Sequence, residues 1–357
     1  MRKVIKMNKI AGIDCGTMNI VSAIHLPDNK VKIDMLRNMF LELNPEDMSS
    51  NEMSQTNWDY VEQKENGETT KLYIIGEDTF KLANSFGKTV SRPMVKGVIS
   101  PAEIYSKDVL YLMTEKLIGK TKDGLCVYSI PEQAVDDLNM PPVSYHVKVW
   151  DKILESLGYT NCFSLNESQS IIYSECKDSG YTGIALSFGC GLTNCCLCYK
   201  GTPTLKFAIA RGGDWIDENT AKSIGIDVVT RVTRVKESDL DLLNPSGKNK
   251  RETMVKEALV NYYEDLINHI LEVFKEQFQK ALDCLDIDDE IPIIISGGTS
   301  KPKGFLDLFT TVFKKIKDFP YSISEIKMAS DPMTAVARGC LIYALWKANK
   351  KEEKKNE

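Results

Sequence analysis

The residues best suited to chemistry stand where apolar runs end and glycine meets an acid or a hydroxyl. The first such place is Ile10-Ala11-Gly12-Ile13-Asp14-Cys15-Gly16-Thr17-Met18-Asn19, a strand running into a Gly-x-Asp-x-Gly-Thr turn. A second apolar strand, Ile20 to Leu26, leaves it. Gly12 and Gly16 permit backbone approach that a side chain would block. Backbone N–H groups around Gly16 and Thr17 can face phosphate oxygens. An acid beside a polyanion calls for a cation between them, and Mg²⁺ with its water shell, held through Asp14, is the natural candidate. Read alone, the stretch is equally an ordinary Gly-rich hairpin, so partners elsewhere must decide.

Four further regions supply partners. Asn166-Glu167-Ser168-Gln169-Ser170 follows a short strand and opens a helix. The helix dipole favours a carboxylate there, and Glu167 is placed to orient or deprotonate a water. The competing reading is a plain N-terminal acid with Asn166 as cap. Gly183 to Asn194 brings a strand to Ser187, after which Gly189 and Gly191 flank Cys190 in a second phosphate-type loop. Gly212-Gly213-Asp214 enters a helix, and Ile293-Ile294-Ile295-Ser296 ends in Gly297-Gly298-Thr299, where bare backbone can lie flat against a base or ribose. Each glycine turn is weak alone; four of them at strand ends form a constellation.

The elements that must position these turns alternate between apolar strands and amphipathic helices, which predicts α/β architecture. Two halves begin alike. The first holds strands at 10–26 and 30–36, a helix at 101–118, a strand at 125–130 and a helix at 143–157. The second holds strands at 183–187, 194–199 and 204–210, then helices, then a strand at 291–296. Asp14-Cys15-Gly16-Thr17 and Ser187-Phe188-Gly189-Cys190-Gly191 occupy matching places, a weak internal repeat. Asn44 to Lys71 is polar and reads as a surface insertion or mobile loop. Leu240 to Lys250 is a second break. From Glu252 to Leu285, Val255, Leu259, Tyr262, Tyr263, Leu266, Ile270, Phe274 and Phe278 recur at helical spacing, a packing stripe. The charged run Lys347–Glu357 predicts a disordered tail.

Composition narrows the class. The chain has 357 residues, 43% hydrophobic and 27% charged, ordinary for a soluble globular protein. A net charge of −5 gives no reason to expect nucleic acid as a direct partner. No apolar run approaches the roughly 20 residues that span a bilayer. Met1–Lys9 is basic without a long apolar core, which fits a frayed arm rather than a secretory signal; a short amphipathic membrane contact is the competing reading. Ten cysteines are scattered as expected of reduced, cytoplasmic thiols. Cys195, Cys196 and Cys198 alternate along a strand, and with three histidines in the chain they lack zinc-site partners, so they read as small buried residues.

At this point the chain resembles the actin-like ATPases of the actin, sugar-kinase and heat-shock-chaperone superfamily, most of all bacterial actins of the MreB and MamK type. Gly12 to Thr17 resembles the first phosphate loop. Asn166-Glu167 resembles the connecting segment that carries the catalytic Glu or Gln, and Ser187 to Thr193 the second phosphate loop. Gly212-Gly213-Asp214 resembles the turn before the ribose-side helices. Ile294 to Gly304 resembles the adenosine motif, and Asp331 to Gly339 the second connecting helix. Lys236-Glu237 resembles a nucleotide-facing helix segment, although a charged helix face explains it equally. Ile75-Gly76-Glu77 and Arg92 to Ile99 also resemble MreB. The likeness spans about Lys9 to Ala344.

The resemblance implies two similar α/β lobes, each a mixed sheet flanked by helices, with ATP and Mg²⁺ in a cleft between them. It implies a first lobe over 1–180 with a small insertion subdomain at about 36–85, and a second over 181–330 with a helical subdomain at about 215–285. A connecting helix at 331–346 would return to the first lobe. The implied cofactor-binding residues are Gly12, Asp14, Cys15, Gly16, Thr17, Asn19, Ser187, Gly189, Cys190, Gly191, Gly212, Gly213, Asp214, Lys236, Glu237, Gly297, Gly298 and Thr299, with Asp14 toward the metal and Glu167 catalytic. The implied function is a cytoskeletal protein that assembles into homopolymer filaments with ATP, adaptor proteins being further partners. One departure matters: the second phosphate loop of the family begins with Asp, and here Ser187 stands there. Loss of one positioned group can cost on the order of 10²–10³ in rate. Nucleotide binding with slow hydrolysis is therefore expected, and Ser187→Asp is expected to hydrolyse no more slowly. Cys190 adds bulk where bacterial relatives often have Gly. The alternative is a non-polymerising ATP-binding scaffold.

Overall fold

The computed structural model describes residues 9–44, 46–83, 85–281 and 287–356. Residues 1–8, part of the basic arm, lie outside this set, as do 282–285 of the long predicted helix. The chain divides into two compact units. The first comprises residues 1–130, 141–166 and 336–357, and the second residues 131–140 and 167–335.

The first unit is built on β1 (Ile10–Cys15), β2 (Asn19–His25) and β3 (Val31–Arg37), an antiparallel meander. A smaller sheet follows, from β4 (Phe40–Leu43), β5 (Tyr60–Glu65) and β6 (Glu68–Ile75) in the order β4-β6-β5, with α1 (Ser50–Ser54) and α2 (Asp78–Leu82) nearby in sequence. A two-stranded ribbon, β7 (Met94–Val95) and β8 (Val98–Ile99), precedes α3 (Ser106–Ile118), β9 (Leu125–Ile130), α4 (Val143–Ser156) and β10 (Asn161–Asn166). The main sheet has the order β10-β9-β1-β2-β3, with β9 parallel to both β1 and β10.

The second unit runs α5 (Glu167–Glu175), β11 (Gly183–Phe188), β12 (Thr193–Tyr199), β13 (Thr202–Ile209), α6 (Gly213–Ser223), α7 (Val229–Asp239), α8 (Lys250–Ala281), β14 (Ile291–Ser296), α9 (Phe305–Phe313) and β15 (Ile323–Met328). Its sheet order is β13-β12-β11-β14-β15. The meander and the two parallel strands repeat the first sheet element by element. The predicted internal repeat is thus a duplicated topology. The chain ends in α10 (Ala335–Asn356).

Each sheet is covered by an apolar core. In the first unit Trp150 and Ile153 of α4 and Leu110 and Met113 of α3 pack with Ile13 and Tyr128. In the second, Leu259, Tyr263, Leu266, Ile270, Phe274 and Phe278 of α8 meet Leu186, Phe188 and Ile295. Phe188 lies edge-on to Phe305 at 5.0 Å, an arrangement the ring quadrupoles favour. Gly12 has a packing reason to be glycine: a Cβ there would fall 2.3 Å from the Leu341 backbone nitrogen of α10.

Three expectations are corrected. The segment 44–71 is not a loop: it contains α1, with a Ser49/Glu52 capping box, and a hairpin whose two-residue turn is Asn66-Gly67 with φ of 53° and 89°. Met53, Leu72 and Ile74 form a small core there. The run from Lys347 is not disordered through 356, because α10 continues there. Lys and Glu are strong helix formers, Ala344 and Ala348 are buried, and Lys347 lies over the Phe163 ring. The boundary expected at residue 180 falls instead at 166/167, since α5 packs on β11, β12 and β14.

Candidate functional site

In the first unit, Asp14 is the penultimate residue of β1, opposite Val21. Its Oδ1 accepts a 2.9 Å hydrogen bond from the Ser129 hydroxyl on β9, and the Ser129 oxygen accepts from the Cys15 N–H at 2.9 Å. One neighbouring hydroxyl therefore fixes both the acid and the strand end. Burial pushes the Asp14 carboxyl up to about 6, against the lowering effect of Ser129. A partly buried carboxylate in this state favours a cation beside it. That donor chemistry suits a hydrated divalent ion held through one carboxylate.

The turn that follows is tied from outside. The Gly16 carbonyl accepts from Asn38 Nδ2 at 3.0 Å, the Met18 carbonyl from the Asn38 N–H at 2.8 Å, and the Thr17 hydroxyl from the Gly97 N–H at 2.9 Å. Cys15 brings only its backbone here, its side chain being in the core. Asn19 opens β2, and a Cβ on Gly16 would sit 2.5 Å from its carbonyl oxygen.

The second unit repeats this turn. Ser187 is penultimate in β11, opposite Asn194, and a Cβ on Gly189 would sit 2.8 Å from the Leu192 carbonyl oxygen. Other loops lock onto it. The Gly189 carbonyl accepts from the Gly213 N–H at 3.1 Å and the Thr299 hydroxyl at 2.8 Å; the Cys190 carbonyl accepts from the Asp214 N–H at 2.8 Å. The Cys190 thiol donates to Asp214 Oδ1 at 2.9 Å. Gly212 lies so close that a Cβ would be 2.6 Å from both carbonyl oxygens. Of the predicted residues, Gly189, Cys190, Gly212, Gly213, Asp214 and Thr299 are thus one assembly.

Lys236 of α7 reaches the same assembly from behind. Its Nζ donates to the Gly213 carbonyl at 3.0 Å and pairs with Asp217 at 2.8 Å, with its side chain 8% exposed. Burial raises the Asp217 pKa, while Lys236 and the Thr233 hydroxyl at 2.7 Å lower it. Lys236 supports a loop internally, whereas Glu237 is exposed on the next helix position. Gly297, with φ of 97°, links β14 to a short 3-10 turn; Gly298 is exposed, and a Cβ on it would meet the Met333 side chain at 3.5 Å.

Glu167 begins α5 and is 9% exposed. Its Oε2 accepts from Asn194 Nδ2 at 3.0 Å and faces the Ser187 hydroxyl at 3.4 Å. Asn194 Oδ1 accepts the Glu132 N–H at 3.0 Å. Sequence reasoning missed Ser129, Asn38, Asn194, Asp217 and Thr233. Only Asn194 carried a cue, standing seven residues after Ser187 on the strand that leaves the loop.

The Volactin family model matches residues 8–344. The chain belongs to the volactin family. No curated protein matches it. Among solved structures it is similar to the MamK double helical filament (TM-score 0.66, 17% identity, covering 94% of this chain and 98% of that one). It is also similar to MreB5 of Spiroplasma citri bound to ADP (TM-score 0.63, 14% identity, 96% and 98%). A third is the ethanolamine utilization protein EutJ from Carboxydothermus hydrogenoformans (TM-score 0.52, 14% identity, 93% and 89%). This volactin-family chain therefore has the actin-like ATPase fold, with its two mixed sheets flanked by helices. No helix among the described residues is long and apolar enough to cross a membrane.

Proposed function

We propose that this volactin-family protein binds ATP with Mg²⁺ and assembles into homopolymeric filaments, hydrolysing the nucleotide slowly. The observation that carries the reading is the duplicated strand-turn-strand, with Asp14 at one copy and the interlocked Gly189–Cys190, Gly212–Asp214 and Thr299 loops at the other. Support also comes from the similar solved structures, one described as a filament and one as bound to ADP. In this reading Asp14 orders the metal's waters, the backbone of Gly16, Thr17, Gly189 and Gly191 faces phosphate, and Gly297–Gly298 lies against the nucleoside. Asn19 and Glu237 flank these surfaces, and Lys236 acts by holding Gly213. Glu167 takes a proton from, or orients, the attacking water. Mg²⁺, when bound, supplies charge neutralisation at the phosphates. Adaptor proteins and a cytoplasmic location complete the proposal.

High-speed pelleting tests it. Purified protein at micromolar concentration should sediment with ATP and Mg²⁺ and stay soluble when the metal is chelated. Asp14→Asn should weaken Mg²⁺-dependent binding about tenfold or more, about the strength of one hydrogen bond to a charged group. A flat light-scattering trace across that range sinks the filament. Ser187 favours a second reading, a non-polymerising ATP-binding scaffold: ATP would then raise the melting temperature without assembly or turnover.

A further inference from the structure

We infer that Asn194 is a positioning residue for Glu167, suspending its carboxylate from the backbone of residue 132, and that the neutral Ser187 belongs to the same clamp. The inference rests on the proposed role of Glu167 toward water. Asn194 reads both ways: Oδ1 accepts the Glu132 N–H at 3.0 Å, so the amide can present only Nδ2 to Glu167, which it meets at 3.0 Å. Asn194 is 1% exposed and paired across the strands with Ser187. Both donors address the same oxygen, Oε2, at 3.0 and 3.4 Å. Hydrogen bonds donated to a carboxylate favour its ionised form, and a fixed donor also selects its orientation.

The surroundings leave the clamp neutral. Of the strands packed on α5, β11 and β14 carry no titratable side chain, and β12 carries Cys195, Cys196, Cys198 and Tyr199. The Glu132 side chain is paired with Lys206 at 2.6 Å, and Glu175, at the far end of α5, holds the Ser330 N–H at 2.9 Å. An acid at 194 or 187 would set a second carboxylate against Glu167, and two such groups share a proton.

The test is a double-mutant cycle of Asn194→Asp and Glu167→Gln on the full chain. In nucleotide-free melts, Asn194→Asp should destabilise more at pH 8 than at pH 5, and Glu167→Gln should abolish that pH dependence. Under saturating ATP-Mg, Asn194→Asp should keep its nucleotide affinity within about threefold. Its turnover should fall tenfold or more at pH 7, with the acid limb moved up by about one pH unit, the tenfold equivalent. Asn194→Gln, which retains an amide donor, should recover part of that loss. A melting penalty that is the same at both pH values and additive with Glu167→Gln overturns the inference. Wild-type protein that shows no thermal shift with ATP overturns the nucleotide reading instead, and the melting cycle still decides the clamp.

Discussion

The two strand-turn-strand copies share a backbone and differ in what their strand ends hold. In the first, an acid accepts from a hydroxyl, Asp14 from Ser129. In the second, a hydroxyl faces an acid, Ser187 to Glu167. Ser129 on β9 and Ser296 on β14 sit beside these positions in the two sheets. The same scaffold therefore carries one carboxylate on the strand itself and, in the other copy, one delivered by the first helix of that copy's own unit, α5. A duplicated fold fixes where a turn sits without fixing the charge it offers.

The comparison breaks hardest at the strand centres. Two residues before Asp14 stands Gly12, and two before Ser187 stands Ala185. Gly12→Ala would drive a Cβ into the α10 backbone, 2.5 Å from the Ala337 carbonyl oxygen. Overpacking against backbone should cost about 3 kcal/mol, against about 1 kcal/mol for Ala185→Gly. Denaturant unfolding measures both; equal losses would show that the two strands tolerate a methyl alike.

Making the second turn like the first is the next test. Sequence alone predicts that Ser187→Asp hydrolyses no more slowly. With Glu167 3.4 Å from the Ser187 hydroxyl, the expectation reverses. The two acids should share a proton, and turnover near neutral pH should drop about tenfold, recovering as pH rises. A faster variant with an unchanged pH profile would restore the first expectation.

The smallest effect near neutrality separates the units by acid sensitivity. His146 of α4 is fully buried, and burial pushes its pKa down to about 3. Unfolded, it titrates near 6.5. Between those values the unfolded chain binds the extra proton, so stability falls as pH drops, by ~1 kcal/mol at pH 6. Amide protection, corrected for the intrinsic exchange rate, should therefore fall on acidification in the first unit before the second, the raised Asp14 pKa offsetting part of the loss. His146→Phe should flatten that slope, and an unchanged slope would place the acid-sensitive group elsewhere.

Much of this was legible in sequence because it is local. The paired turns, the α8 stripe and the glycine pairs each lie within a few residues. The hairpin at Asn66-Gly67 was only half legible: Asn-Gly suits a two-residue hairpin turn, but residues 62–65 and 68–71 on either side are all polar and lack the apolar alternation that marks a strand. The Glu167 clamp was not legible, because residues 132, 167, 187 and 194 meet only once the sheet has formed. Nor was the internal use of Lys236, whose partner Asp217 lies one helix away.

The buried cysteines carry a last consequence. Cys126 and Cys340 lie in the core of the first unit, Cys195, Cys196 and Cys198 in that of the second. Burial holds the Cys126 and Cys195 thiols well above their usual range, and it is the thiolate that reacts. Cys162 and Cys190 are only partly buried and can meet a thiol reagent in the folded protein. Labelling at the fully buried thiols instead waits for their unit to open, and its rate at those positions becomes a clock for that unit's breathing without any engineered probe.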